Sequence, residues 1–379
     1  MKTAVIGVGM MGSSIAWDLA RSDDVDELRA ADVSQKRLDA LKERLGERVS
    51  VRRVDVLDPA QVRRFLEGCD VAISALPHGT VHAADIAAVQ SGAKLVNIAF
   101  EDEQMALDRT ARKNGAVMIP GCGLAPGLSN ILVAEGERRL DEATEGHIYV
   151  GGLPQNPLPP LSYRLVFSVK GLVREYLSAR VISGGVSKSV TPFEEVERVT
   201  FPKVGELEAF FTDGLGSSLF TLTNLEELDE RTLRWPGHAA KVKFLIDAGF
   251  FSDSKMTTDG MTFSPVEVSS AILQKTLSRG DPEDLTVMRV RVVGKSHGRK
   301  AEITFELLDY YDEVNGITSM GRTTGFTAAI VARMLGRGEI PGSGVLPPEL
   351  VLTGKNVRKL LAELATKGVR VRTSRRRSE

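Results

Sequence analysis

Hydrophobic and polar positions in the first third of the chain follow two alternating patterns, one typical of buried strands and one typical of amphipathic helices. Short apolar runs predict six strands, at residues 2–6, 28–31, 49–54, 70–76, 94–98 and 116–120. The segments between these runs carry apolar residues at helical spacing. Strands that alternate with helices build a parallel sheet covered on both faces. The pattern therefore predicts an α/β fold with a doubly wound parallel sheet over residues 1–122.

The pattern changes after residue 146, where short alternating segments dominate. They predict strands at residues 147–150, 162–168, 179–182, 190–199 and 216–223, and a hairpin formed by residues 285–293 and 299–309. Two helical segments, residues 238–248 and 265–278, interrupt them. We therefore expect residues 123–318 to form an α+β substrate-binding and dimerisation domain with a mostly antiparallel sheet. Such a sheet leaves edges and faces to cover, so we expect a homodimer or a larger homo-oligomer.

The last 61 residues complete this division of the chain. We expect residues 319–340, with a small-residue helix at 324–335, to return to the first domain. Residues 341–379 read as a closing segment with a helix at 356–366 and a basic tail, RVRTSRRRSE, which we interpret as a solvated, frayed end.

A glycine-rich turn joins the first strand to the first helix. It carries a G-x-G-x-x-G fingerprint followed by an acidic residue at the end of the second strand, and comprises Gly7, Val8, Gly9, Met10, Met11, Gly12 and Asp32. Strand, fingerprint, helix and acidic residue occur in the order of a Rossmann dinucleotide site, in which the helix N-terminus holds the pyrophosphate. The alternative is a tight turn without a ligand. Because Asp32 would accept the ribose hydroxyls and repel a 2′-phosphate, we predict NAD. Lys36 and Arg37 soften that repulsion, so NADP is disfavoured rather than excluded.

Further cofactor contacts are expected where the strands of an open sheet end, because ligands lie at their carboxyl ends. These positions are Val33, Asp55, Val56, Ala75, Leu76, Pro77, His78, Ile98, Phe100 and Gly121. His78 could also act as a catalytic acid, or simply be a surface-loop histidine.

Composition narrows the possible partners. The net charge of -1 gives no reason to expect nucleic acid or an anionic membrane. No apolar run approaches the roughly 20 residues that span a bilayer, and we expect no secretory signal. Two cysteines fit a reducing, cytoplasmic environment. The five histidines are scattered without a ligand pattern, so no metal site is predicted.

Several motifs resemble those of the saccharopine dehydrogenase-like oxidoreductases. Besides the fingerprint they are residues 123–130 (GLAPGLSN), 151–154 (GGLP), 157–176, 233–238 (LRWPGH) and 318–334. Within that family the chain is most similar to the lysine 6-dehydrogenase branch. Ala125 stands where the saccharopine-forming members have aspartate, and the Pro-Gly-His segment favours a free amine as substrate.

The resemblance implies that NAD accepts hydride from the carbon bearing the side-chain amine of L-lysine. The imine then hydrolyses to ammonia and 2-aminoadipate 6-semialdehyde. This chemistry requires a base for the amine, a cation for the α-carboxylate and a carboxylate for the α-ammonium. We consider His238 for the base or water-orienting group, and Glu101 and Asp102 for the substrate ammonium. The expected substrate-positioning residues are Asn130, Tyr163, Lys170, Lys241 and Arg322.

Each assignment has a simpler alternative: His238 packing its own helix, an acidic helix start for Glu101 and Asp102, and ordinary surface cations for Lys170 and Arg322. Two other functions remain open. One is a saccharopine or carboxynorspermidine-type reductase that uses NADPH, and the other is a scaffold that binds NAD without turnover.

Overall fold

The computed structural model describes residues 1–166 and 168–377, and its first part alternates strands with helices. The strands are β1 (Lys2–Ile6), β2 (Glu27–Asp32), β3 (Ser50–Arg53), β4 (Val71–Ser74), β5 (Lys94–Asn97) and β6 (Val117–Ile119). The helices are α1 (Met10–Leu19), α2 (Gln35–Leu45), α3 (Pro59–Leu66), α4 (Val81–Gln90) and α5 (Asp108–Asn114), with 3₁₀ turns at Gly46–Arg48 and Asp102–Leu107.

The second part is richer in strands. These are β7 (Glu142–Pro154), β8 (Ala179–Ser183), β9 (Val186–Val190), β10 (Val196–Phe201), β11 (Gly205–Phe211), β12 (Glu227–Arg234), β13 (Met256–Thr258), β14 (Met261–Phe263), β15 (Asp284–Ser296) and β16 (Arg299–Tyr310). The helices are α6 (Leu128–Arg138), α7 (Val169–Leu177), α8 (Ser218–Thr221), α9 (His238–Asp247) and α10 (Pro265–Leu277). The chain ends with a π-helical turn (Gly321–Phe326), α11 (Thr327–Gly336), β17 (Gly344–Val345), α12 (Pro348–Val351), α13 (Lys355–Thr366) and β18 (Val371–Arg377).

The first sheet is parallel and has seven strands in the order β17-β6-β5-β4-β1-β2-β3. This confirms the predicted doubly wound sheet and adds one strand to it. Strand β17, which was not predicted, pairs with β6 through Gly344 and Val117. The C-terminal part of the chain therefore returns to extend the edge of the first sheet.

The second sheet is mixed and mostly antiparallel. Its main path runs β10-β11-β12-β7-β15-β16-β18, and β8 joins β12 and β9 at the side. The predicted hairpin is present as β15 and β16, while β7 and β12 form a parallel pair. Together the two sheets confirm the predicted combination of a Rossmann-type domain and an α+β domain.

Four local predictions are wrong. The predicted strand at residues 190–199 is interrupted, because residues 191–195 form no strand. Residues 162–168 contain no strand in their described part, whereas residue 167 lies outside the described residues. Residues 216–223 hold the short helix α8 instead of a strand. The basic tail is not frayed in its described part, because residues 371–377 pair with β16 from Leu307 to Ala301, whereas residues 378–379 lie outside the described residues.

A continuous apolar core connects the two sheets. One cluster of buried side chains includes Ile15 of α1, Ile131 of α6, Val290 of β15, Ile303 of β16 and Ile330 of α11. Helix α6 packs against β7, β15 and β16 of the second sheet, and α11 packs against β4 and β5 of the first. The carboxyl edge of the first sheet is thereby held against the second domain, which creates the cleft described below.

Candidate functional site

The glycine turn has the geometry that a dinucleotide fingerprint requires. Gly7 has a positive φ of 87°, and a Cβ there would lie 2.7 Å from the Ala75 carbonyl oxygen. A Cβ on Gly12 would overlap the carbonyl oxygen of Gly7, so helix α1 can approach the strand only with glycine at this position. Space is open above Gly9. The chain therefore offers an uncovered backbone cradle at the N-terminus of α1, which fits a pyrophosphate.

Asp32 closes this turn from the second strand. Its carboxylate accepts hydrogen bonds from the backbone N–H groups of Val8 (2.9 Å) and Ser34 (2.8 Å). The Arg37 guanidinium lies 3.7 Å from the same carboxylate, on a side chain that is 61% exposed. An acid and an exposed cation therefore lie together at the end of β2, where a Rossmann domain binds the ribose.

The other predicted cofactor positions lie along the same carboxyl edge. The residues just beyond β2, β3, β4, β5 and β6 are, respectively, Val33; Asp55 and Val56; Ala75, Leu76, Pro77 and His78; Ile98 and Phe100; and Gly121. Met10 and Val33 are exposed beside the fingerprint, and Phe100 is buried. A Cβ on Gly121 would lie 3.2 Å from that of Phe100 and 3.3 Å from Pro126 Cγ, so only glycine fits this contact comfortably.

A cleft of about 490 Å³ opens where this edge meets the second domain. His78, Gly79, Glu101, Asp102 and Glu103 line it from the first domain, and Arg174, Arg180 and Asp213 from the second. The structure thus brings Glu101 and Asp102 together with His78. The cleft contains four carboxylates, two guanidinium groups and one imidazole.

Arg180 links the two walls of this cleft. Its Nε and Nη2 atoms donate to the two oxygens of Asp213 at 2.9 and 3.1 Å. Its Nη1 atom donates to Asp102 Oδ2 at 2.6 Å. Both carboxylates therefore neutralise Arg180, which leaves Arg174 as the cation that is less tightly held.

Glu101 is positioned by a buried hydrogen-bond network. Its backbone N–H donates to Gln104 Oε1 (3.0 Å), and the Gln104 amide donates to Asp85 (2.7 Å). Asn97 also donates to Asp85, whose pKa is raised to about 7 by burial. The Glu101 side chain accepts from Gly79 N–H at 2.8 Å. These contacts fix the loops after β4 and β5 against each other and hold the Glu101 carboxylate at the cleft.

His238 does not line this cleft, which corrects the expected location. It is fully buried in the second domain, where Nδ1 donates to the Leu161 carbonyl oxygen (2.9 Å) and Nε2 accepts from the Tyr176 hydroxyl (3.0 Å). Burial, together with the charge of Arg234, lowers the pKa of His238 to about 3. Both ring nitrogens are occupied, so the imidazole acts here as a neutral part of the core.

Arg322 and Asn130 also make structural contacts, and their roles in substrate binding stay predictions. Arg322 donates to Asp309 at 3.0 and 3.2 Å and to Asp312 at 3.0 Å, which neutralises it away from the cleft. Asn130 is fully buried: its oxygen accepts from Gly127 N–H, and its amide donates to the carbonyl oxygen of Leu215. This amide fixes the start of α6 to the segment before α8.

The remaining predicted substrate residues are dispersed. The Tyr163 ring is buried beneath Arg234, whose guanidinium carbon lies 4.5 Å from the ring centroid. Within the described residues, the Tyr163 hydroxyl has no hydrogen-bond partner. Lys241 donates to the Pro160 carbonyl oxygen, and Lys170 is exposed in the first turn of α7.

The sequence-based predictions did not include the three cleft residues from the second domain, Arg174, Arg180 and Asp213. Arg174 lies on α7, for which no helix was predicted, although Leu172, Val173 and Tyr176 have the spacing of a buried helical face. Arg180 and Asp213 carry no local signal. Their partners are 78 and 33 residues away in the sequence, so only the tertiary fold brings them together.

None of the helices within residues 1–166 and 168–377 is long and apolar enough to cross a bilayer. In the same part of the chain, no group of three or more His, Cys, Asp or Glu side chains is arranged to hold a metal ion.

Comparison with known families gives two matches that together cover most of the chain. Residues 3–119 match the model described as "Saccharopine dehydrogenase NADP binding domain". Residues 123–369 match "Saccharopine dehydrogenase C-terminal domain". The boundary between the two models lies just after β6, where the structure passes from the first sheet to α6.

Individual relatives are distant. Alpha-aminoadipic semialdehyde synthase, mitochondrial, of Mus musculus is 22% identical over 429 residues, which cover 92% of this chain and 45% of that protein. The chain thus spans less than half the length of this relative. Saccharopine dehydrogenase (NADP(+), L-glutamate-forming) of Schizosaccharomyces pombe is 22% identical over 397 residues, covering 84% of this chain and 87% of that protein.

A solved structure has the same fold. Apo saccharopine dehydrogenase (L-Glu forming) from Saccharomyces cerevisiae superimposes with a TM-score of 0.81 at 19% identity, covering 99% of both chains. The likeness extends over both sheets and concerns the fold alone.

Proposed function

Because the chain belongs to the saccharopine dehydrogenase family of oxidoreductases, we propose that it oxidatively deaminates the side-chain amine of L-lysine with NAD. The family assignment supports an oxidoreductase with an amino-acid substrate and a pyridine-nucleotide-binding domain. In the proposed reaction, hydride leaves the carbon that bears the amine, and water converts the imine to ammonia and 2-aminoadipate 6-semialdehyde. NAD supplies the hydride acceptor, and the residues of the cleft bind and orient the amino acid.

The observation that carries this proposal is the charge of the cleft. Once Arg180 is paired with Asp213 and Asp102, the remaining charged groups are the carboxylates of Glu101 and Glu103, the Arg174 guanidinium and the ionisable His78. Lysine carries two ammonium groups and one carboxylate, which match two acids and one arginine. Saccharopine carries three carboxylates, and this cleft offers too few free cations for them.

Asp32 supports NAD as the cofactor. Its carboxylate is fixed by Val8 and Ser34, and a 2′-phosphate placed at the end of β2 would meet this negative charge at close range. The free ribose hydroxyls of NAD could instead donate to the remaining lone pairs of the carboxylate.

A second candidate function is a saccharopine or carboxynorspermidine-type dehydrogenase that uses NADP(H). The name of the matching nucleotide-binding model and that of the S. pombe relative favour NADP. Arg37 is the structural feature on this side, because its exposed guanidinium could swing from Asp32 towards a phosphate.

Four assays with purified protein distinguish the two candidate functions. Each combines L-lysine or saccharopine with NAD or NADP, and the absorbance of the reduced cofactor measures turnover. We expect turnover with lysine and NAD, with ammonia released in equal amount. Glu103→Gln should raise KM for lysine about 10-fold, which corresponds to about 1.4 kcal/mol. Glu194→Gln, at an exposed position outside the cleft, is the matched control. Turnover of saccharopine without turnover of lysine would replace the first candidate by the second.

A further inference from the structure

His78 occupies an unusual position in the cleft, between a carboxylate and a guanidinium that approach the same ring atom. Its Nδ1 atom lies 3.4 Å from Glu101 Oε1 and 3.4 Å from Arg174 Nη1. Its side chain is 37% exposed, and no described residue hydrogen-bonds to Nε2. Two charged neighbours therefore compete for one nitrogen of this imidazole, while the other has no hydrogen-bond partner among the described residues.

We propose that His78 accepts the proton of the substrate ammonium group, and that Glu101 and Arg174 compete for its Nδ1 atom to decide when it can do so. This inference rests on the proposed lysine oxidation. It assigns the base of that reaction to the loop after β4 instead of to helix α9.

The two neighbours select different tautomers of the neutral ring. Arg174 can only donate, so Nδ1 must accept from it, and the hydrogen then resides on Nε2. Glu101 accepts, so a bond to it places the hydrogen on Nδ1 and frees the lone pair of Nε2. Only the second arrangement presents a base to the cleft.

Substrate binding shifts the balance between these arrangements. Arg174 reaches one carboxylate among the described residues, Asp213 Oδ2 at 3.8 Å, and Arg180 already holds that carboxylate. The α-carboxylate of lysine is a stronger partner for a guanidinium than a neutral imidazole is. Once the substrate engages Arg174, Glu101 becomes the remaining partner of Nδ1, and His78 becomes a base in the presence of its substrate.

The N–H bond of the side-chain ammonium breaks, its proton moves to Nε2, and the electron pair stays on the amine nitrogen. That pair forms the C=N bond as hydride passes to NAD⁺, which gives a protonated imine and NADH. Water then adds to the imine carbon, and ammonia leaves.

The charges around His78 favour its neutral form in the free protein. Burial lowers the pKa of His78 below its ordinary value, and the Arg174 guanidinium lowers it further. Glu101 and, more weakly, Asp213 oppose this shift. Asp102, Glu103 and Arg180 line the same cleft, but Arg180 is paired. A neutral imidazole near pH 7 is the form that can accept a proton.

Nitrogen-15 NMR of the histidine side chains tests the competition without relying on activity. The chain has five histidines, and His78→Gln identifies the signal of interest. We expect free wild-type protein to show hydrogen on Nε2. Arg174→Met should move it to Nδ1 and raise the pKa of His78, whereas Glu101→Gln should leave it on Nε2 and lower that pKa. An unchanged tautomer and pKa in Arg174→Met would overturn the proposal.

Kinetics test the catalytic assignment. With lysine and NAD, His78→Gln should reduce kcat by about 10²-fold or more and remove the acidic limb of the kcat/KM profile. His297→Asn, at an exposed turn, is the matched control. A wild-type rate and pH profile in His78→Gln would refute the assignment while leaving lysine oxidation intact. Absence of lysine turnover in the wild type would refute the proposed function, and the NMR experiment would still test the Nδ1 competition.

Discussion

At the scale of single residues, complete burial determines how His238 ionises. The ordinary histidine pKa is 6.5, and in the folded protein burial and Arg234 lower it to about 3. The unfolded chain therefore binds a proton more readily than the folded one between these values. The sign follows from linkage: the stability associated with this group is complete above pH 6.5 and is lost as pH falls towards 3.

Replacing this imidazole should change the acid sensitivity of the fold. We expect His238→Phe to lower the free energy of unfolding by about 1–3 kcal/mol at neutral pH, because Tyr176 and Leu161 lose their partner. Its stability should nevertheless fall less steeply than that of the wild type between about pH 7 and pH 5. Urea unfolding at several pH values measures both effects, with the exposed His297→Asn as control. A wild-type acid slope in His238→Phe would contradict this account.

Asp32 is the residue for which the choice of cofactor can be tested directly. Asp32→Ser removes the negative charge but keeps a small acceptor near the Val8 and Ser34 amides, and it releases Arg37. We expect the ratio of kcat/KM for NAD to that for NADP to fall at least about 10-fold, or by about 1.4 kcal/mol. Steady-state kinetics with both cofactors checks this. Asp39→Ser, an exposed acid on α2, should leave the ratio unchanged; an equal change in both variants would exclude a specific role for Asp32.

At the scale of elements, the Arg180 guanidinium forms ion pairs with two carboxylates that differ in exposure. Asp213 is 12% exposed and holds Arg180 by two bonds, whereas Asp102 is 47% exposed and holds it by one. We expect a coupling free energy of about 1 kcal/mol or less for Asp102 with Arg180, since exposed pairs are screened by water. The coupling of Asp213 with Arg180 should be larger. Double-mutant cycles with Asp→Asn and Arg180→Gln, followed by urea unfolding, measure both couplings, and a larger value for Asp102 would contradict the ranking.

Local patterns predicted the first sheet well because its central strands β1, β4 and β5 are largely buried and each is followed by a helix. Strand β4, Val71–Ser74, is entirely buried and begins with three apolar residues, so its sequence alone identifies it. Strand β9 is exposed along most of its length and β17 has only two residues. Such elements are determined by their pairing with distant strands, which leaves little trace in the local sequence.

The candidate site shows the same difference between features that the local sequence encodes and features that only the tertiary fold creates. The turn at Gly7 and Gly12 is encoded within a few residues, because positive φ and close packing demand glycine there. The acidic wall at Glu101 and Asp102 was predictable from its position after β5. Arg180 could not be anticipated, because its role arises only when the second domain folds against the first. The burial of His238 and the carboxylate partners of Arg322 are likewise tertiary properties, which the local sequence does not show.

At the scale of the whole molecule, the core shared by the two sheets predicts that they unfold together. The cluster that contains Ile15 and Ile330 continues through Ile131 to Val290, so side chains packed on both sheets belong to the same core. Multidomain chains often unfold in separate steps, but a continuous core couples their transitions. The expected homo-oligomer remains a prediction, and unfolding is therefore best compared at two protein concentrations.

The two tryptophans report on the two sheets separately. Trp17 stacks on Phe326 beside the first sheet, and Trp235 donates to the Pro154 carbonyl oxygen in the second domain. We expect Trp17→Phe and Trp235→Phe, each with one remaining tryptophan, to show fluorescence transitions that coincide with the loss of far-UV circular dichroism of the same variant. The variants can differ in stability, so the comparison is made within each one. If the two probes gave separate midpoints in either variant, the sheets would unfold independently, and the cleft between them could open without loss of either fold. Coincident midpoints would mean that the walls carrying His78 and Arg174 are held together by the same cooperative core that stabilises the protein.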